Sequence, residues 1–278
     1  MIRFGEKTDL AINFHNLRRC ASVRSAIQKI DLYQHPTLGK ILVLNNEVQH
    51  VEKWQSLYHE PLIHLPSAFI PEVRDVLILG GGSLFAAFEA LRYPTVKSCT
   101  LVDHDPIVID VMAQHYPHAA KVIKDPRFNH VSSNAITFLE GAKNKYDLLV
   151  NDGFDSVRIA SEVGQSVFDL MSKRLATSGV CADVFYRHIF DGEHIAKGRS
   201  AFKKTKHAIS LITVPEYPGI LHLLVCWGGK QVSQTLRSPI NSFQKKWIAK
   251  KATAPKLQFY DPRFLSFYLY LPPYLQQL

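Results

Sequence analysis

The sequence predicts an α/β protein: a doubly wound, largely parallel sheet preceded by a small β domain. Three observations carry that expectation. From residue 75 onward, short apolar runs recur without strict alternation, as in "DVLILG" (75–80), "SCTLVD" (98–103) and "YDLLVND" (146–152). Strands buried on both faces of a parallel sheet read this way. Helix-like segments separate most of these runs, the alternation that builds an open α/β sheet. Before residue 66 the pattern differs, with short strands punctuated by turn residues.

The chain has 278 residues, enough for one large domain or a main domain with an appendage. We place an N-terminal β domain at 1–66 and the main domain at 67–278. Apolar content of 46% and charged content of 21% are those of an ordinary globular protein. The opening "MIRFGEKTDLAINFHNLRRC" carries charges through its apolar patches, unlike a signal peptide, and no run reaches membrane-spanning length. Cys20, Cys99, Cys181 and Cys226 stand far apart without paired spacing, so free thiols in a reducing cytoplasm are expected. The net charge of +9 gathers in 197–207 and 244–256. Lysines interleaved with apolar residues there read as the solvated face of a helix, and no zinc-finger, RNA-binding or helix-turn-helix pattern accompanies them. Neither a nucleic-acid nor a membrane partner is expected.

Within the first domain, "SAIQKIDLYQ", "GKILVLN" and "EVQHVE" are expected strands, separated by His35-Pro36 and Asn45-Asn46. "WQSLYHEPLIHLPSAF" then reads as a helix leading to Pro71. The sheet of the main domain follows, with "HVSSN" between the second and fourth apolar runs. "GVCADVFY", "AISLITVP" and "ILHLLVCW" extend it, the last two as a hairpin across "EYPG".

In such sheets ligands bind beyond the carboxyl ends of the strands, near the point where strand order reverses. Gly80, Gly81 and Gly82 end the first strand and let the backbone approach a ligand closely. Asp103 ends the second, some twenty residues on, where a carboxylate can accept both hydroxyls of a ribose. Three glycines alone are equally a structural turn; with Asp103 they favour a nucleoside. The fourth strand ends in "VNDGFDS", bringing Asp152 and Asp155 to the same edge. Two close carboxylates favour a cation between them, and an amine would serve. From these residues alone, an Asp-rich helix cap remains the competing account.

At this point the chain resembles a known family, the polyamine aminopropyltransferases, of which the spermidine synthases are the best-known members. "SAIQKI", "GKILVLNNEVQHVEK", "YHEPLIHLP", "DVLILGGG", "TLVDHDPIVID", "DPRFNHV", "YDLLVNDGFD", "VPEYPG" and the closing "FYDPRFLSFYLYLPPYLQQL" stand in the family's order at nearly its spacings. The resemblance implies a Rossmann-like, class I methyltransferase-like sheet with a small N-terminal β domain. It implies transfer of an aminopropyl group from decarboxylated S-adenosylmethionine to a diamine such as putrescine, releasing methylthioadenosine, with no metal and no permanently bound cofactor. Carried over, Asp152 matches the general base; Gln28, Gly80, Gly82, Asp103, Asn134 and Ala135 match the nucleoside site. Tyr58, His59, Asp155 and Tyr217 match the amine channel, and Ser83 stands where the donor's tail is held. A homodimer or homotetramer is implied as well.

Four departures qualify this. Ser83, Leu84 and Phe85 replace an aspartate and two small residues, commonly glycines. Asn134-Ala135 replaces an Asp-Gly pair, with an amide oxygen still able to accept from adenine. Asp103 stands for a glutamate, and Ser156 for a proline before a loop lacking the usual Gly-Pro. A serine cannot neutralise an ammonium. The alternatives are therefore an S-adenosylmethionine-dependent methyltransferase, or another adenosylmethionine enzyme, on the same scaffold, and a non-catalytic homologue.

Overall fold

The computed structural model describes residues 2–3, 12–153, 167–188, 205–217, 220–250 and 255–276. Asp155, Ser156 and the loop after them lie outside the described residues, as does most of the basic stretch 197–207.

A short pair, β1 (Ile2–Arg3) and β2 (Asn13–Phe14), precedes a four-stranded antiparallel sheet in sequential order. Its strands are β3 (Arg18–Arg24), β4 (Lys29–His35), β5 (Gly39–Leu44) and β6 (Glu47–Val51). The expected strand beginning at Ser25 starts later. Ser25 Oγ accepts the Ile27 and Gln28 N–H groups, each at 3.0 Å, and this local side-chain bonding makes 25–28 the turn of the β3–β4 hairpin. Asn45 and Asn46, at φ 48° and 67°, make the tight β5–β6 turn, where two left-handed residues match the twist of the flanking strands.

The main sheet has seven strands: β7 (Asp75–Gly80), β8 (Ser98–Asp103), β9 (Phe128–Ser132), β10 (Tyr146–Asp152), β11 (Leu175–His188), β12 (Lys206–Ile212) and β13 (Ile220–Gly228). Their spatial order is β12-β13-β11-β10-β7-β8-β9. The run from β9 to β11 is parallel, while β11, β13 and β12 pair antiparallel, the last two as the expected hairpin. Continuous apolar strands are explained by two covered faces. Val76 and Ile78 of β7 pack into one core, while Leu77 and Leu79 pack into the other.

Helix α1 (Gln55–Ser67) follows the N-terminal sheet and packs on α2 (Phe85–Ala90). The other α-helices among the described residues are α3 (Pro106–His115), α4 (Pro117–Val122), α5 (Ala135–Gly141), α6 (Val167–Ser172), α7 (Ser242–Ala249) and α8 (Leu265–Tyr268). Lys245 and Lys246 of α7 are exposed, as its composition predicts. All four cysteines are free, three of them buried within strands. Among the described residues no helix is long and apolar enough to cross a membrane.

The chain passes from β7 outward through β8 to β9, then returns to β10 on the other side of β7. That reversal puts a crevice between the carboxyl ends of β7 and β10, and the register there pairs Gly80 with Asp152.

Candidate active site

The three glycines serve different purposes. Gly80 and Gly81 both sit at φ +77°, a left-handed conformation that side chains disfavour. A Cβ on Gly80 would lie 2.5 Å from the Gly153 Cα, so the β7 and β10 turns touch through bare backbone. A Cβ on Gly81 would lie 2.8 Å from Asp152 Oδ2, and one on Gly82 would lie 3.0 Å from Asp103 Oδ2. Gly81 and Gly82 thus leave room for the two carboxylates that line the crevice. Leu84, the residue before α2, is fully buried at φ 65°, with its N–H donated to Gly81 O at 2.8 Å. A left-handed leucine costs about 1–2 kcal/mol, offset here by the burial of its side chain.

Asp103 accepts the Gly82 N–H at 3.1 Å through Oδ2 and the Asp105 N–H at 2.9 Å through Oδ1. It therefore fixes the glycine turn while remaining at the strand end. Asp105, two residues on, faces away from the crevice into the seam with the N-terminal sheet. It is 1% exposed, caps α3 through Ile107 N, and accepts from Ser25 Oγ at 2.7 Å and Gln28 Nε2 at 2.9 Å. Gln28, expected to hold the nucleoside, thus spends an amide N–H on docking the β3–β4 turn against the main sheet. Asn134 Oδ1, expected to accept from adenine, accepts the Ile136 and Thr137 N–H groups as the cap of α5, which begins at Ala135. Tyr217 donates its hydroxyl to Val48 O at 2.9 Å.

Asp152 is held by the end of β10. Its neighbour Asn151 donates to the buried Asp183 Oδ1 at 2.9 Å and accepts the Gly153 N–H at 3.3 Å, fixing both sides of the turn. The Asp152 side chain is only 6% exposed and Oδ2 has no hydrogen-bond partner. Burial, with a smaller push from Asp103, raises its pKa from 3.8 to about 7 against the opposing hydrogen bond from Tyr58.

His59 faces the same oxygen, with Nε2 4.0 Å from Asp152 Oδ2. Its Nδ1 lies 3.0 Å from the Gln55 carbonyl, which can only accept, so Nδ1 carries the proton. Burial lowers the pKa of His59 to about 4, so at neutral pH the ring is uncharged and Nε2 presents a lone pair. Two acceptors, Oδ2 and Nε2, thus confront each other across a gap that suits a donor of two N–H bonds. Tyr58 and His59, adjacent in α1, reach this gap together, their rings 4.9 Å apart and perpendicular.

Sequence reasoning did not single out His50, His118 or Glu216. His50 and His118 pack around Phe85, with ring centroids 4.3 Å and 3.6 Å from it. Glu216 is buried, accepts the Val51 N–H at 3.3 Å, and has its pKa raised to about 7 by burial. Phe85 in place of a small residue was the one available signal for the histidine cluster. Among the described residues no group of three histidines, cysteines or carboxylates is arranged to hold a metal.

Residues 55–237 match the model of the spermine/spermidine synthase domain. The chain belongs to the spermine/spermidine synthase family. Its members include aminopropyl- and N-methyltransferases, and the chain is a transferase. It is 30% identical over 264 residues to putrescine N-methyltransferase 2 of Nicotiana tabacum, covering 92% of this chain and 74% of that one. It is 35% identical over 134 residues to a polyamine aminopropyltransferase of Lachnospira eligens, covering 48% of this chain and 47% of the relative. The spermidine synthase of Thermotoga maritima superposes with a TM-score of 0.76 at 22% identity, over 94% of this chain and 87% of the other. This likeness establishes the fold, a methyltransferase-like sheet with an N-terminal β domain.

Proposed function

We propose that this family member alkylates a primary amine of a small diamine such as putrescine, using an adenosyl sulfonium as donor and Asp152 as general base. The observation that carries this reading is the pair of opposed acceptors, Asp152 Oδ2 and His59 Nε2, at the point where strand order reverses. An alkylammonium with a pKa of about 10.4 must lose a proton before it can attack, which at pH 7 costs about 4–5 kcal/mol. Asp152 attracts the ammonium and takes that proton; its pKa of about 7 lets it hold either form near neutrality. The freed lone pair attacks the carbon bonded to the sulfonium, a C–N bond forms, and the C–S bond breaks with its electrons going to sulfur. The neutral thioether leaves. Asp103 at the β8 end and the turn at Gly81 and Gly82 are the groups we assign to the nucleoside, with Tyr58 beside the amine.

The transferred group we assign first is aminopropyl, from decarboxylated S-adenosylmethionine. Among the described residues, no lysine or arginine pairs with Asp103 or Asp152; the basic side chains within 4.0 Å are the imidazoles of His104 and His59, the second uncharged at neutral pH. A donor whose tail is purely cationic suits such a site, whereas a tail carboxylate would add a third negative charge. Ser83 supports a second reading, methyl transfer from S-adenosylmethionine, because no carboxylate stands there to meet the ammonium of a decarboxylated tail; the similarity to putrescine N-methyltransferases points the same way. Both donors are offered with a panel of amines and the products weighed by mass spectrometry. An aminopropyl increment supports the first reading and a methyl increment the second; no increment on any amine overturns both.

A further inference from the structure

The region behind His59 is built in a way that the transfer reaction alone does not require. Phe85 stands in α2 where the family resemblance calls for a small residue, and its ring is clamped. His118 of α4 stacks on one face at 3.6 Å and 27°, and is tied down by Nε2 to the Ser83 carbonyl at 3.3 Å. His50 of β6 lies against it at 4.3 Å and 34°. The His59 ring is the third neighbour, 5.2 Å away at the same 34° inclination, and His50 and His59 meet edge to face at 6.0 Å. Tyr116, 1% exposed, closes the far side at 5.9 Å from both Phe85 and His50.

Resting on the amine-alkylation reading above, we infer that Phe85 is a positioning residue. Clamped by His50 and His118, it seals the back of His59 and holds that imidazole as the neutral second acceptor for the reacting amine. Once Asp152 Oδ2 has taken one proton of the ammonium, a remaining N–H points to His59 Nε2 while the nitrogen turns about its C–N bond, which directs the lone pair toward the donor carbon.

The charge environment agrees with this. His59 is faced by His50 and His118, by Glu89 of α2, by Tyr58 on its own helix and by Asp152 of β10. Burial is the largest influence on its basicity and lowers it; Glu89 pulls the other way and His118 adds to the lowering. A protonated His59 would present an N–H where the amine needs an acceptor. Admitting water behind the ring is therefore damaging, because it returns His59 toward its ordinary pKa of 6.5.

Two measurements test the inference. In the intact wild-type protein at pH 7, nitrogen chemical shifts of His59 should report the Nδ1–H tautomer, with no protonation of that ring above about pH 5. A Nε2–H tautomer, or titration near 6.5, overturns the inference whatever the enzyme proves to alkylate. In Phe85→Ala, and in Phe85→Leu should the smaller side chain fail to fold, His59 should titrate near 6.5. The value of kcat/KM for the amine, relative to wild type, should then fall about fourfold more at pH 6 than at pH 8. In a His59→Gln background, whose amide oxygen accepts without titrating, the same change at Phe85 should carry no such pH dependence. A loss equal at both pH values, or a pH-dependent loss that persists in the His59→Gln background, shows that Phe85 only packs. Absence of product from every amine with every protein sinks the alkylation reading, while the tautomer result still decides the state of His59.

Discussion

Burying Asp152 beside Asp103 should make the active site a source of instability that can be removed by one atom's change. With a pKa of 3.8 when exposed and about 7 in the fold, the ionised carboxylate is disfavoured by about three powers of ten. At 1.36 kcal/mol each, the cost is about 4 kcal/mol. The sign follows from linkage: the folded state binds this proton more tightly than the unfolded chain does. The contribution to stability is thus fully present below pH 3.8 and is lost as pH rises through about 7. About 2.5 kcal/mol of that loss falls between pH 5 and pH 8. Asp152→Asn keeps the shape and the Tyr58 contact without the charge, so it should be more stable than wild type at pH 8, with the advantage shrinking by about 2.5 kcal/mol at pH 5. It should also abolish turnover, since an amide cannot take the proton, while leaving methylthioadenosine binding nearly intact. Urea unfolding of both proteins across pH 5–8, with calorimetric titration and a turnover assay at pH 8, measures all three. A stability difference that does not change with pH would show that Asp152 is not desolvated as described, and unchanged turnover would remove it from the mechanism.

Three further outcomes are expected. Methylthioadenosine at a hundredfold excess over its Kd should stabilise the wild type by about 2.7 kcal/mol; Asp103→Ala should lose about 1.5–3 kcal/mol of binding, and thermal shifts with and without ligand separate that from the lost support of the Gly82 N–H. Gly81→Ala should nearly abolish turnover, because its Cβ would meet Asp152 Oδ2 at 2.8 Å in a left-handed conformation; a variant that folds and turns over normally would mean that this oxygen is not where the chemistry occurs. Ser83→Asp should tighten decarboxylated S-adenosylmethionine by about 1–3 kcal/mol and weaken S-adenosylmethionine itself, as read by titration with each; equal shifts for both donors would show that residue 83 does not meet the tail.

The elements whose signal is local were legible from the amino acids alone. Apolar runs such as 76–79 announce strands covered on both faces, Asn45-Asn46 announces a hairpin, and "EYPG" separates two strands that do pair. A local side-chain choice also set a strand boundary that sequence reading misplaced, but Ser25 shows itself as a turn residue only once its hydroxyl is seen bonding forward. The site divides in the same manner. Composition and spacing put Gly80–Gly82, Asp103 and Asp152 at strand ends, because strand ends in such sheets are fixed by where the apolar run stops. What each side chain does there was decided by partners far away in sequence: Asp105 and Gln28 are spent on each other 77 positions apart, leaving Asp103 and Asp152 to line the crevice. The neutral state of His59 is likewise a product of packing, since burial together with His50, Phe85 and His118, drawn from three different elements, excludes the water that would otherwise let it charge. A sequence specifies residue types and local turns; the pKa of a carboxylate or the tautomer of an imidazole depends on desolvation and on a single carbonyl 3.0 Å away, and those exist only after the chain has closed on itself.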